Sequence, residues 1–344
     1  MAEPLLIVDE LEVAFATDKG LARVLDKVNF SIDAGEIVGL VGESGCGKTT
    51  LARSILGILP ANSARILNGS IRFEGRDLLT VNEADLASNF RGRVVTFVPQ
   101  DPFSSFNPVF TIGSQIMELM KWKSPDAGKL GVFGRYNRQR READYQRIIQ
   151  LMQTVQLPDA EGILRKYPHE VSGGQRQRLM IAMALLPEPR LIIADEPTTA
   201  LDVTIQAQIL KLLRQLARER EVAVLFTTHD LGSAYEICDR ITVMYAGQEV
   251  ESAAAERFFA KPHHPYTRRL LQSLPSQSGN IQGIPGQIPG LVKPPTGCRF
   301  HPRCPLAEPA CSADRPEVYW PAEGHMLRCF NPETTAIASK GNNR

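Results

Sequence analysis

The first residues able to do chemistry form a glycine-rich loop that fits the pattern G-x-x-x-x-G-K-[ST]. Glycines at these positions let the backbone curl until successive N–H groups point at phosphate oxygens, and a helix starting behind the loop adds its positive N-terminal end. Lys48 is expected to reach the β- and γ-phosphates of a nucleoside triphosphate, and Thr49 to ligate Mg²⁺. The predicted phosphate-binding residues are Gly42, Glu43, Ser44, Gly45, Cys46, Gly47, Lys48, Thr49 and Thr50.

A second set of reactive residues follows the apolar run Leu191-Ile192-Ile193-Ala194, which ends in Asp195 and Glu196. Adjacent carboxylates at the end of a buried strand are costly unless they meet a cation or a proton. Asp195 is therefore predicted to hold the Mg²⁺ shell, and Glu196 to polarise the attacking water as a general base. A strand that ends in Asp-Glu is also common at the start of ordinary loops, so this interpretation depends on the phosphate loop in the same chain.

Four cysteines crowd near the C-terminus with the spacing C-x5-C-x6-C-x17-C, whereas Cys46 and Cys238 are isolated. Four thiolates could hold an iron–sulfur cluster or a zinc ion, but the spacing lacks the close C-x2-C pairs of common zinc fingers. The residues alone leave a cluster, zinc and no metal open, with His301 and His325 as alternative zinc ligands. The four cysteines are Cys298, Cys304, Cys311 and Cys329.

The elements that must position these residues alternate between apolar strands and helices, which predicts an α/β core with a largely parallel sheet. Two β-rich runs near the N-terminus, with a turn at 18–20, predict an added antiparallel layer. Gly- and Pro-rich residues 276–296 predict a linker or wrapping arm, and the basic run 135–141 a solvated helix face or loop. Strands are expected at 5–16, 22–33, 36–41, 94–98, 191–194 and 223–227, a hairpin at 241–251, and helices at 48–56, 145–155, 175–186, 204–220 and 231–237.

The net charge and the distribution of apolar residues indicate which classes of protein to expect. The formal net charge of +1 gives no reason to expect a polyanionic partner. No stretch approaches the ~18–20 apolar residues that a membrane-spanning helix needs, and the N-terminus lacks the basic segment of a secretory signal. We therefore expect a cytoplasmic chain whose membrane role, if any, comes through partner subunits.

Between the two reactive sets lies Val171-Ser172-Gly173-Gly174-Gln175, and with it the chain resembles the ATP-binding cassette (ABC) ATPases over residues 4–260. Val171 stands where the family usually has Leu, and Thr199 of Thr199-Ala200-Leu201-Asp202 where it usually has Ser. The resemblance implies a P-loop fold with an antiparallel β layer and a helical signature subdomain. It also implies that two such chains close around two ATP molecules. The implied contacts of the opposite subunit's γ-phosphate are Ser172, Gly173, Gly174 and Gln175, with Asp202 in the D-loop.

The same resemblance assigns three further residues. Gln100 would touch Mg²⁺ and the attacking water, and His229 would contact the γ-phosphate. Phe15 would stack on adenine, although a core aromatic on a strand is the alternative interpretation for Phe15 alone.

The run His264-Pro265-Tyr266-Thr267, the Pro-rich arm and Gly297-Cys298-Arg299-Phe300-His301-Pro302-Arg303-Cys304 resemble the oligopeptide/dipeptide and nickel importer ATPases. This resemblance implies a nucleotide-binding domain at 1–260 and a C-terminal extension at 261–344. It implies that Cys298, Cys304, Cys311 and Cys329 hold a [4Fe–4S] cluster, with Zn²⁺ as the alternative.

The expected function is an ATP-binding and ATP-hydrolysing subunit of an importer, peripheral to the cytoplasmic face of the inner membrane. The implied partners are a second ATPase subunit in a homo- or heterodimer, two membrane permeases and, indirectly, an extracytoplasmic solute-binding protein, with no nucleic acid. The alternatives are an importer of nickel or another non-peptide solute, an exporter ATPase, and a non-transport ABC ATPase. The single cassette, the four-cysteine tail and the lack of sustained heptads between Lys48 and Ser172 favour the importer.

Overall fold

A computed structural model describes residues 3–101, 105–126, 136–198, 202–274 and 283–333. The strands are β1 (Leu6–Thr17), β2 (Gly20–Ile32), β3 (Ile37–Val41), β4 (Ala64–Phe73), β5 (Arg76–Asp77), β6 (Val95–Val98), β7 (Leu191–Asp195), β8 (Ala223–Thr228), β9 (Arg240–Tyr245), β10 (Gln248–Ala254), β11 (Tyr319–Ala322) and β12 (His325–Leu327). The helices are α1 (Lys48–Leu56), α2 (Glu83–Asp85), α3 (Ile112–Lys123), α4 (Arg138–Thr154), α5 (Ala160–Arg165), α6 (Gly173–Leu185), α7 (Val203–Glu219), α8 (Leu231–Ile237), α9 (Ala255–Ala260), α10 (Pro265–Gln272) and α11 (Pro309–Ala313).

Contacts divide the chain into two units that do not follow chain order. The first unit combines Met1–Thr80 with Phe226–Arg344, and the second is Val81–Leu225. A domain boundary at residue 260 stays a prediction. The C-terminal residues nevertheless belong to the same unit as the phosphate loop.

The first unit contains an antiparallel sheet in the order β2-β1-β4-β5. β1 and β2 form a hairpin whose register runs from Leu6 opposite Ile32 to Thr17 opposite Gly20. Gly20 has a positive φ of 118°, which glycine adopts readily because it has no Cβ. The predicted antiparallel layer and its turn are confirmed.

The second sheet of this unit mixes parallel and antiparallel pairs in the order β11-β12-β10-β9-β3. β3 is buried along its whole length and lies parallel to β9, with Val38 opposite Arg240. β9 and β10 form the predicted hairpin, whose turn at Ala246 and Gly247 has positive φ values of 45° and 86°. The mixed sheets and the helices packed with them confirm the α/β class.

A buried carboxylate fastens the C-terminal residues to this hairpin. Glu251 on β10 accepts the backbone N–H of His263 at Oε1, at 2.8 Å, and that of His264 at Oε2, at 3.0 Å. His325 Nε2 also lies 2.8 Å from Oε1. Burial alone would raise the pKa of the Glu251 carboxyl, but these hydrogen bonds outweigh burial and lower the pKa. β12 then pairs with β10, Leu327 lying opposite Glu251.

The second unit has a parallel pair, β6 and β7, and a group of helices. α4 begins at Arg138 rather than at the predicted Tyr145, because the Asn137 side chain caps it, accepting from Arg140 N at 2.8 Å. The Arg140 guanidinium donates to the carbonyls of Met120 and Lys121. The basic run therefore starts a helix, as one of the two expectations had it, and Arg135 lies outside the described residues.

The Gly- and Pro-rich arm is described from residue 283 onward. Residues 283–296 form neither helix nor strand, and the Leu291 carbonyl accepts from the N–H of Arg23 on β2 at 2.9 Å. This part of the arm thus lies along β2, as a wrapping segment would; residues 276–282 and the final residues from 334 onward lie outside the described parts.

Within the described ranges, no helix is both long enough and apolar enough to cross a membrane.

Candidate functional site

The phosphate loop lies between β3 and α1 in the first unit. Gly42 has a φ of 154° and Gly47 a φ of 112°, conformations that side chains disfavour. A Cβ on Gly42 would lie 2.3 Å from the Met244 carbonyl oxygen, and one on Gly47 would lie 2.9 Å from Leu25. Glycine is therefore required at both positions, and the predicted strand–loop–helix arrangement is confirmed with α1 starting at Lys48.

The Lys48 side chain turns back over this loop. Its exposed fraction is 5%, and its Nζ donates to the Gly42 carbonyl at 2.8 Å and lies 3.5 Å from the Glu43 carbonyl. The ammonium group is thus held against the loop that precedes it. Thr49 and Thr50 follow on the first turn of α1, both half-buried.

In the second unit, parallel pairing brings two predicted catalytic residues to one edge. Val95 lies opposite Leu191 and Val98 opposite Ala194, so both strands end at the same level. Beyond these ends, Gln100 Nε2 donates to Glu196 Oε2 at 3.1 Å. Glu196 has a positive φ of 48°, and Asp195 beside it is buried.

This contact leaves the amide oxygen of Gln100 as an acceptor, because the side-chain amide carries donors and acceptor on different atoms. A carboxylate, a hydroxyl and an amide oxygen are the ligand types that Mg²⁺ prefers. The donor set predicted from the sequence, Asp195, Thr49 and Gln100, therefore has the right chemistry for that ion.

Ser172 caps α6 in the second unit. Its Oγ accepts from Gln175 N at 3.2 Å, and the Gln175 side chain accepts from Ser172 N at 3.0 Å, which is a reciprocal capping box. The Ser172 hydroxyl still has its own proton to donate, since it acts as an acceptor in this pair. Gly173 and Gly174 form the first turn behind it, so a helix N-terminus stands where an anion contact was predicted.

Three other predicted residues sit at the ends or on the faces of elements. His229 is exposed immediately after β8, and Asp202 caps α7 by accepting from Ile205 N at 3.0 Å. Phe15 is half-buried on β1, opposite Ala22 of β2 and Ala64 of β4. Their roles stay predictions, and the D-loop residues 199–201 lie outside the described chain.

Comparison with known proteins identifies the family. Residues 25–199 match the family model described as ABC transporter, and residues 250–311 match the model described as Oligopeptide/dipeptide transporter, C-terminal region. The chain belongs to the ABC transporter family.

Relatives of this ABC ATPase match it over 95–96% of its length. The oligopeptide transport ATP-binding protein AppD of Bacillus subtilis is 43% identical over 95% of this chain and 96% of the relative. OppD of Escherichia coli, named an oligopeptide transport ATP-binding protein, is 42% identical over 96% and 94%. The dipeptide transport ATP-binding protein DppD of Escherichia coli is 41% identical over 95% and 97%.

Solved structures agree on the fold. The ATP-binding cassette MJ0796, in a dimeric post-hydrolysis state bound to ADP and Pi, superimposes with a TM-score of 0.61 at 24% identity. The match covers 73% of this chain and 98% of MJ0796. At that identity the likeness confirms the cassette fold and nothing finer.

The four C-terminal cysteines of the ABC ATPase line one small cavity, together with Phe300, His264 and His301. Cys298 N donates to the Cys311 carbonyl at 2.8 Å, which joins two of the cysteine segments. His325 is not part of this lining, because its ring pairs with Glu251. The cavity thus collects the predicted ligands and one of the two alternative histidines.

The surroundings of Cys298, Cys304 and Cys329 raise the pKa of each thiol. Burial raises the pKa of Cys298 to about 11 and that of Cys329 to about 12, and the neighbouring cysteines add to both shifts. Among the described side chains, no group of three or more His, Cys, Asp or Glu stands in a metal-binding arrangement. The predicted cluster is therefore not confirmed, although the donor chemistry suits it.

Sequence reasoning missed two residues that contact the phosphate loop, Tyr266 and Arg303. Both lie in the C-terminal residues of the first unit, and both bind Glu43. Arg303 is 260 positions from Glu43, and no pattern in the sequence links them. Only folding brings them together.

Proposed function

We propose that this ABC ATPase binds and hydrolyses ATP to power import of peptides or related small solutes across the cytoplasmic membrane. The observation that carries the proposal is similarity over the whole chain to ATP-binding proteins named for oligopeptide and dipeptide transport. The match of residues 250–311 to the C-terminal region of such transporters supports it independently of the cassette.

In this proposal the phosphate loop binds the triphosphate. Its backbone N–H groups and the Lys48 ammonium contact the phosphate oxygens, with Lys48 at the β- and γ-phosphates. Mg²⁺, held by Thr49, Asp195 and Gln100, would neutralise charge on these oxygens.

Hydrolysis in this proposal depends on Glu196. Its carboxylate takes a proton from the attacking water, and the 3.1 Å hydrogen bond from Gln100 orients it. His229 contacts the γ-phosphate after β8. The hydrogen bond between Gln100 and Glu196 supports the proposal that these two residues act together.

The second half of the site comes from another ATPase subunit, identical or different. Ser172–Gln175 of one chain would bind the γ-phosphate held by the loop of the other, with Asp202 nearby in the D-loop. ATP then favours the closed pair because it makes these contacts only there, and hydrolysis removes them. Two permeases would receive the motion, and an extracytoplasmic binding protein would deliver the solute.

Isolating the assembly from membranes tests this function. We expect a tagged chain, solubilised from membranes of its own host with a mild detergent, to co-purify with two permeases and an ATPase partner. An untagged lysate is the control. Recovery with ribosomes or DNA instead of permeases would contradict the importer assignment. In a separate assay of ATP turnover by the isolated assembly, stimulation by nickel rather than by peptides would identify nickel as the transported solute.

We also propose that Cys298, Cys304, Cys311 and Cys329 hold a [4Fe–4S] cluster. Four thiolates are the ligand set for such a cluster, and all four side chains line the same cavity. The cluster would act as a clip that ties the extension together.

Metal analysis tests the cluster. Anaerobically purified protein should be brown, contain iron and sulfide, and lose its visible absorption on reduction. Cys329→Ser should lower the iron content severalfold, whereas Cys238→Ser, which changes a buried cysteine outside the lining of this cavity, should keep it. Stoichiometric zinc in the unmodified protein would exclude the cluster.

A further inference from the structure

One arginine of the C-terminal extension contacts the phosphate loop of the first unit. Arg303 lies next to Cys304, and its guanidinium grips both carboxylate oxygens of Glu43, at 2.9 and 3.1 Å. The Arg303 side chain is 5% exposed and that of Glu43 28% exposed. This fork-to-fork geometry fixes direction as well as distance.

Three further hydrogen bonds hold the Arg303 guanidinium in place. Its Nε donates to the Pro285 carbonyl at 2.8 Å, its Nη2 to the Ile284 carbonyl at 3.3 Å, and its Nη1 to Tyr245 Oη at 3.2 Å. Arginine stays protonated in proteins, so the guanidinium is a permanent cation held beside the loop.

A tyrosine of the same extension holds the backbone of the same residue. The N–H of Glu43 donates to Tyr266 Oη at 3.0 Å. Tyr266 is fully buried, and its ring packs against the rings of Tyr245 and Phe300 at 4.7 and 5.2 Å. Glu43 is thus fixed at its backbone by one residue of the extension and at its side chain by another.

The position of Glu43 in the loop links its contacts with Arg303 and Tyr266 to nucleotide binding. Glu43 is the second residue of the loop, and its carbonyl and that of Gly42 face the Lys48 ammonium. An unpaired carboxylate there would repel the triphosphate that the loop binds, and it would be free to pull the loop out of shape. Arg303 removes both problems at once.

We propose that Arg303 is a positioning residue of the phosphate loop, which fixes Glu43 and cancels its charge so that MgATP affinity depends on the C-terminal extension. The inference rests on the proposed ATP-binding function. It makes the extension part of the nucleotide site, in addition to any clip formed at the cysteines.

Equilibrium binding of MgATP, measured without turnover on the purified full chain, tests the inference. We expect Arg303→Met to weaken binding about tenfold, the scale of one unpaired charge acting across a partly solvated site. The matched control is Arg268→Met, which removes another extension arginine paired with a glutamate, Glu333, of 29% exposure. The control should bind within about twofold of the unmodified protein, because its partner, Glu333, is not a residue of the phosphate loop.

A double variant separates charge cancellation from general damage. In a Glu43→Gln background there is no carboxylate to leave unpaired, so adding Arg303→Met should cost less than about threefold. The inference is overturned if Arg303→Met alone binds like the unmodified protein, or if it costs as much with Gln at position 43 as with Glu.

Two further measurements show whether weak binding comes from misfolding of a variant or from failure of the proposed ATP-binding function. Circular dichroism and thermal midpoints check each variant. If Arg303→Met does not fold, Arg303→Lys, which keeps one charge but not the fork, should weaken binding about threefold, and unchanged binding overturns the inference. If the unmodified protein itself binds no MgATP, the proposed function fails rather than the role of Arg303.

Discussion

Glu196→Gln is expected to abolish ATP turnover while MgATP still binds. The loss in kcat should be about 10²–10⁴-fold, the usual contribution of a positioned general base. Gln keeps the shape of the side chain and can still contact Gln100, but its amide cannot take a proton from water. Phosphate release and equilibrium nucleotide binding, measured on the same preparation, separate the two effects.

The same variant should trap the ATP-bound pair of subunits, because the contacts that close the pair are no longer removed by hydrolysis. Size-exclusion chromatography with MgATP is expected to show a larger species for Glu196→Gln than for the unmodified chain. Glu188→Gln is a suitable control: this exposed glutamate also has a positive φ, 58°, and lies just before β7 as Glu196 lies just after it. Normal turnover by Glu196→Gln would refute its role as the base.

Lys48→Ala is expected to weaken MgATP binding about 100-fold, or about 3 kcal/mol, the scale of losing charge-assisted hydrogen bonds to two phosphate oxygens. The substitution removes the ammonium that the structure holds 2.8 Å from the Gly42 carbonyl. α1 should survive, because alanine is the best helix former. Binding and ATP turnover should therefore fall while the circular dichroism spectrum stays the same.

Lys19→Ala provides the matched control for Lys48, since Lys19 is an exposed lysine in the turn before β2. It should leave both binding and turnover unchanged. If Lys48→Ala consumed ATP at the unmodified rate, the phosphate loop would not be the nucleotide site, and the importer assignment would lose its physical basis.

Much of the local structure could be predicted from residue patterns. α1 runs from Lys48 to Leu56 and α8 from Leu231 to Ile237, as expected, because glycine or aspartate marks where each begins and apolar periodicity marks its length. The hairpin between β9 and β10 turns at Ala246 and Gly247, as expected, because glycine readily adopts the positive φ of a tight turn. α4 was predicted to start too late because its first turns, Arg138–Glu142, carry charge instead of apolar periodicity.

The candidate site likewise has features that short sequence motifs predict and features that only the fold shows. The phosphate loop and the Asp195-Glu196 pair are short contiguous motifs, so their chemistry could be proposed from the residues themselves. The contact between Gln100 and Glu196 could be expected once two buried strands were assumed to lie parallel, since their ends then meet. The role of His325 could not: it was an alternative zinc ligand by type, but its ring binds Glu251 instead.

Residue patterns predicted a triphosphate-binding loop, a general base for the attacking water, and the strands and helices that carry them, because each of these depends on neighbours a few positions apart. The tertiary structure alone decided that the C-terminal extension contacts that loop, through Arg303 and Tyr266 on Glu43. It also decided that four dispersed cysteines share one cavity. Such contacts join residues far apart in the chain, and their partners are selected by packing and charge pairing after the chain has folded, which no local pattern records.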